Sequence, residues 1–183
     1  MRVVFRADSS VKIGTGHLKR CLTLARALNA AGWECFFVCR ELPGHIADTV
    51  CQLGHTLKML RKPRGNATHH NFISENYSDW LGVSWFEDAK ETTQVLKCVS
   101  PDLLVLDHYG LDANWETFIQ NTVQNLVVID DLANRSHQCQ LLVDPNLGRR
   151  SSHYASLLPV NCKKLIGADF AILGAEFRKF RDE

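Results

Sequence analysis

No stretch of the 183 residues approaches the ~20 consecutive apolar residues that cross a bilayer, so a membrane-spanning helix is not expected. Neither sign of charge dominates. The chain carries 21 Lys and Arg against 20 Asp and Glu, a formal net charge of +1, which argues against nucleic acid as a partner. There are seven cysteines but no C-x-x-C pair, and the number is odd. Cys21, Cys35, Cys39 and Cys51 lie among apolar neighbours, where a free thiol behaves as a small hydrophobe. This usage fits a reducing cytoplasm rather than a disulfide framework. The N-terminus has a strand pattern with Arg2 and Arg6 in place of a long apolar segment, so no signal peptide is expected. The adjacent His69 and His70 have no cysteine at ligand spacing, and no metal is expected.

The composition, 45% hydrophobic and 22% charged, suits one globular domain. Short apolar runs alternate with helical periodicity. The runs are Val3–Phe5, Phe36–Val38, Thr56–Leu60, Leu103–Leu106, Leu126–Ile129 and Leu141–Val143. Between the first two, Leu18, Cys21, Leu22, Ala25 and Leu28 recur at helical spacing, and Gly32 follows as a C-cap. Helices are also expected over Pro43–Leu53, from the Ser84–Glu87 capping box to about Val99, and over Trp115–Val123. Residues 61–76 lack a period and hold Pro63, Gly65, Asn66 and Asn71, the composition of a long surface loop. Continuous apolar strands with interleaved helices specify an open parallel sheet covered on both faces, a Rossmann-like α/β/α sandwich.

In such sheets ligands bind beyond the carboxyl ends of the strands. Those ends carry Arg6-Ala7-Asp8, Asp107-His108-Tyr109-Gly110, Asp130-Asp131 and Asp144-Pro145-Asn146. Any one of these aspartates could simply cap a helix, but together they mark an edge. The loop Gly14-Thr15-Gly16-His17 opens the first helix after strand one. Its glycines permit close backbone approach to a ligand, and the helix dipole favours phosphate. Lys12, Lys19 and Arg20 add positive charge. The chain has no Walker A loop, and Lys19 stands where the dinucleotide fingerprint needs a third glycine, so neither ATP nor NAD is the expected ligand. His17, at the positive end of the helix dipole, should stay neutral and able to accept a proton. A purely capping histidine would occupy the same place.

The stretches Phe5–Ser9, Ile13–Leu22, Asp79-Trp80-Leu81-Gly82-Val83, Asp107–Gly110, Ile129–Asp131 and 167–177 resemble, in order, the UDP-2,4-diacetamido-2,4,6-trideoxy-β-L-altropyranose hydrolases. That family has a two-domain GT-B-type fold similar to the lipid-II-forming N-acetylglucosaminyltransferase. The resemblance implies that residues 1–175 form the Rossmann-like sugar-side domain and that 176–183 begin a linker to a UDP-binding C-terminal domain. It implies hydrolysis of a UDP-sugar without cofactor or metal, yielding free sugar for pseudaminic acid synthesis and flagellin glycosylation. His17 would activate water, Gly14, Thr15 and Gly16 would stabilise the leaving group, and Tyr109 would line the sugar pocket. Asp8, Arg20 and Asp107 would position. Gly174-Ala175 stands where the family shows Arg-Pro, which weakens any role for that segment. A glycosyltransferase on the same scaffold, or a binding domain inactive by itself, are the competing expectations.

Overall fold

The computed structural model describes residues 1–63 and 77–180, with side chains of 178–180 not described. The expected loop at 61–76 and the His69–His70 pair therefore lie largely outside the described residues.

Every run named above forms a strand. These are β1 (Arg2–Ala7), β2 (Glu34–Arg40), β3 (Thr56–Leu60), β4 (Leu103–Asp107), β5 (Leu126–Ile129) and β6 (Leu141–Asp144). A further strand, β7 (Lys163–Ile166), was not foreseen. Its Lys-Lys start and half-buried pattern are those of an edge strand, which shows no continuous apolar run. All pairings are parallel, in the order β3-β2-β1-β4-β5-β6-β7. The chain builds outward from β1 to β3, then crosses back to lay β4 beside β1. The crevice between the ends of β1 and β4 is thus the topological switch point, where ligands of such sheets bind.

Alternation along the strands feeds two cores. Val3, Phe5 and Ala7 join Leu18, Cys21, Leu22 and Ala25 of α1 (Gly16–Ala30). Val4, Leu104 and Leu106 face Ala89, Leu96 and Val99 of α3 (Trp85–Val99) and Trp115 and Ile119 of α4 (Ala113–Ile119). Ser84 Oγ accepts the Glu87 amide at 3.2 Å, as a cap should, and Ser100 closes α3 in the left-handed region before Pro101.

Two helices are shorter than the sequence suggests. The Pro43–Leu53 helix contracts to α2 (Asp48–Gln52). Gly44 takes φ +73° and turns the chain, and a Cβ there would lie 2.5 Å from Val11 Cγ2. The Pro43 carbonyl accepts the Val11 amide at 3.0 Å, so this segment braces the loop after β1 rather than starting a helix. The Trp115–Val123 helix starts two residues earlier and stops at Ile119, with Asp112 accepting from the Asn114 amide at 2.9 Å. Cys51 is exposed, unlike Cys21, Cys35 and Cys39.

Candidate functional site

The switch point is built from the end of β4 and the start of α1. Asp107, the last residue of β4, is fully buried. Its carboxylate accepts from His17 Nδ1 at 2.6 Å and, bidentately, from Arg20 Nε at 2.5 Å and Nη2 at 2.6 Å. His17 and Arg20 lie three residues apart on α1, so one helical turn aims both at the same carboxylate. Burial alone would push the Asp107 carboxyl up. The hydrogen bonds from Arg20 and His17 outweigh it and hold the group at about 2, so it is a carboxylate at neutral pH. Arg20 Nη2 also lies 3.3 Å from His17 Nδ1. That nitrogen cannot both donate to Asp107 and accept from Arg20. The shorter contact decides: Nδ1 carries the proton, which leaves Nε2 as the acceptor.

Arg20 continues outward, donating from Nη1 to Asp131 at 2.7 Å. Asp131 in turn accepts from the Tyr109 hydroxyl. The Tyr109 ring meets His17 edge-on with centroids 4.4 Å apart. Burial, then Asp131, pushes the Tyr109 phenol up, so it stays protonated. His17, Arg20, Asp107, Tyr109 and Asp131 therefore form one connected group.

The Gly14–Gly16 loop sits beside it. Gly14 needs its freedom, with φ +75°, and its amide is committed to the Ser10 carbonyl at 2.8 Å. Of the loop's three amides, those of Thr15 and Gly16 remain for a ligand. Gly16 has an ordinary φ and open space where a Cβ would stand. No side chain caps α1 at Thr15. The first turn of α1, next to His17, thus has no side-chain cap, and such a turn has the chemistry to hold an anion.

Asp8 does not join this group. It is fully buried and bound bidentately by Arg6, with Nη1–Oδ1 at 2.6 Å and Nη2–Oδ2 at 2.9 Å, and it accepts the Arg40 amide at 2.7 Å. Arg6 also pairs with Asp88 at 2.6 Å, and Asp88 accepts from Arg40 at 2.8 Å and Trp115 Nε1 at 3.0 Å. Burial pushes the carboxyls of Asp8 and Asp88 up, but Arg6 with His108 holds Asp8, and Arg6 with Arg40 holds Asp88, below the ordinary carboxylate value. Beside Asp8, His108 Nδ1 accepts the Gly110 amide at 3.0 Å and its Nε2 lies 3.4 Å from the Asp8 carboxylate. Asp8 is thus a strut beneath the site. Asp130 and Asp144 are struts too, each with a carboxylate oxygen 2.8 Å from the Tyr154 hydroxyl, whose single proton they share.

Sequence reasoning placed Asp131 on the edge but did not choose it. Nothing in the pair Asp130-Asp131 tells which member faces inward. It quoted Trp80 within a resembling stretch but gave it no role, and it missed Tyr77; both lie on the 3₁₀ helix Tyr77–Leu81, with rings 5.7 Å and 5.2 Å from that of Tyr109. Among the described residues no group of His, Cys, Asp and Glu could hold a metal, and no helix is long and apolar enough to cross a membrane.

The chain as a whole has a counterpart among known proteins. The chain is 27% identical over 177 residues to the UDP-2,4-diacetamido-2,4,6-trideoxy-beta-L-altropyranose hydrolase of Campylobacter jejuni subsp. jejuni serotype O:2. The resemblance seen in the sequence holds. The match covers 97% of this chain and 53% of that protein, so the chain spans about half the length of the curated relative it matches. It corresponds to the relative's N-terminal part. No family model matches the chain. The crystal structure of Acinetobacter baumannii MurG superimposes with a TM-score of 0.56 at 8% identity, over 87% of this chain and 44% of that one. This likeness concerns the fold alone, and it agrees with the expected Rossmann-like α/β sheet.

Proposed function

We propose that this chain is the sugar-side domain of an enzyme that hydrolyses a UDP-activated 2,4-diacetamido-2,4,6-trideoxy sugar to UDP and free sugar. The observation that carries the reading is the His17–Asp107 pair at the switch point. Asp107 fixes the proton on Nδ1, so Nε2 is an oriented base. Water loses a proton to His17 Nε2 as its oxygen bonds to the anomeric carbon. The bond from that carbon to the β-phosphate oxygen breaks, and its electron pair leaves with UDP. Asp107 stabilises the imidazolium that forms. The amides of Thr15 and Gly16, with the dipole of α1, oppose the charge that develops on the leaving phosphate. No step calls for a metal or cofactor. The free sugar then serves pseudaminic acid synthesis and, through it, flagellin glycosylation, work for a cytoplasmic enzyme.

In this reading residues 1–175 are the catalytic unit and 176–183 lead toward a C-terminal domain that holds UDP. Binding energy from the nucleotide assists the reacting centre, so the 183-residue chain alone should fold but turn over very slowly. The GT-B likeness keeps one second reading in play: transfer to an acceptor hydroxyl by the same base. The test is UDP release from the UDP-activated diacetamido-trideoxy-altrose without any acceptor, by the chain alone and with the separate C-terminal domain supplied. Release in either case supports hydrolysis. Release only when an acceptor hydroxyl is added establishes transfer instead, and silence throughout leaves a binding domain.

A further inference from the structure

The 3₁₀ helix Tyr77–Leu81 lies across the exit of β4 and brings two aromatic rings to the site. Its seat is specific. Leu81 is buried in the core, and a Cβ on Gly110 would stand 2.5 Å from the Tyr77 carbonyl oxygen, so only glycine lets the turn lie this close. The result is a continuous aromatic surface. Tyr77 and Trp80 meet edge-on at 4.8 Å, Tyr77 meets Tyr109 at 5.2 Å, and the Trp80 and Tyr109 planes are tilted by only 34° at 5.7 Å. Tyr109 then touches the base, His17, at 4.4 Å. None of the three rings is swallowed by the core, as each stays half-buried. The Tyr109 ring is fixed through its hydroxyl by Asp131.

Resting on the hydrolase reading, we propose that Tyr77, Trp80 and Tyr109 form a specificity wall that takes the methyl groups of the sugar. A 2,4-diacetamido-2,4,6-trideoxy sugar carries a methyl at C6 and one on each acetamido group. Aromatic faces reward such groups by burial and need no hydrogen bond in return. A hydroxymethyl at C6 would be desolvated against carbon without a partner, which is unfavourable. The wall therefore selects deoxy, N-acylated sugars over fully hydroxylated ones.

The test is saturation-transfer NMR, irradiating protein aromatic protons in the presence of the UDP-activated diacetamido-trideoxy sugar or of UDP-N-acetylglucosamine. Three methyl resonances of the first ligand should saturate most strongly. Trp80→Ala should weaken them and Trp80→Phe should restore them. In turnover, KM should rise about fourfold for each methyl that leaves an aromatic face, with kcat little changed. A wall that only pinned the turn would lower the melting temperature without shifting the saturation pattern, and that result overturns the proposal. So does methyl saturation equal in wild type and Trp80→Ala. The two readings fail separately: methyl saturation with no UDP release even when the separate C-terminal domain is supplied would sink hydrolysis and leave the wall standing.

Discussion

Asp107→Asn should disable the site while leaving the fold. The carboxylate takes four donors: His17 Nδ1 and Arg20 Nη2 on Oδ1, Arg20 Nε and the Cys21 thiol on Oδ2. An amide has one acceptor and one donor end. With its NH₂ at the Oδ1 position it opposes His17 and Arg20; at the Oδ2 position it opposes Arg20 and Cys21. The first orientation forces the His17 proton onto Nε2, and the base disappears. The second leaves His17 its acceptor but sets the amide against Arg20 Nε. A wrong tautomer in comparable His–Asp pairs lowers kcat by up to about 10⁴, and Arg20 steers the amide only partly, so a loss of about 10²–10⁴ is expected. The fold should lose less. Holding this carboxyl at about 2 instead of 3.8 corresponds to about 2 kcal/mol, or roughly 5 °C of melting temperature for a chain of this size. Initial rates of UDP release, with the UDP-binding domain supplied, and a thermal melt separate the two effects. A folded variant that keeps a third or more of the wild-type rate would refute the orienting role of Asp107.

Gly16→Ala should leave the melting temperature within about 1 °C, because φ is ordinary and the space is open, yet weaken UDP-sugar binding by closing the approach to the first turn of α1. Gly14→Ala, at φ +75°, should instead destabilise by about 1–2 kcal/mol, as denaturant titration would show. Asp88→Ala removes the shared acceptor of Arg6 and Arg40, both almost wholly buried, and should cost about 3–5 kcal/mol; a loss under about 1 kcal/mol in urea would contradict the network's structural role. Acid should act through the same groups. Asp8, Asp88, Asp107 and Asp130 all have carboxyls depressed in the folded state, so their stabilisation is complete above about pH 5 and is lost as pH falls below the ordinary carboxylate range. Unfolding free energies at pH 7, 5 and 3 should fall modestly between the first two, because buried His108 is held below its ordinary value while the unfolded chain takes up that proton, and fall sharply at the third.

The sheet was legible because its central strands are buried on both faces, and runs such as Leu103–Leu106 have no other stable use. β7 was not, because an edge strand beginning Lys163-Lys164 pays no attention to that pattern. Pro43 looked like a helix start, but its neighbour Gly44 answers to Val11, a contact between segments far apart in the chain. The candidate site divides in the same way. His17 and the glycine loop were visible locally, through their position after β1. The partner of His17 lies 90 residues away, and Asp107 looked no different from Asp8, although one pairs with His17 and the other with buried Arg6. Which strand-end aspartate faces the crevice depends on which arginine reaches it, and only the folded chain settles that. Tyr77 and Trp80 gave no periodic signal because they follow the stretch without a period.

His17→Gln bears most directly on the central claim. UDP release from the UDP-activated diacetamido-trideoxy sugar is measured for wild type and variant side by side, with the UDP-binding domain supplied and no acceptor present, in water enriched in oxygen-18. The account predicts release by wild type, one heavy oxygen in the free sugar, and loss of about 10²–10⁴ in the variant, since glutamine keeps the size but cannot accept the proton. Undiminished release by a folded His17→Gln protein would contradict it.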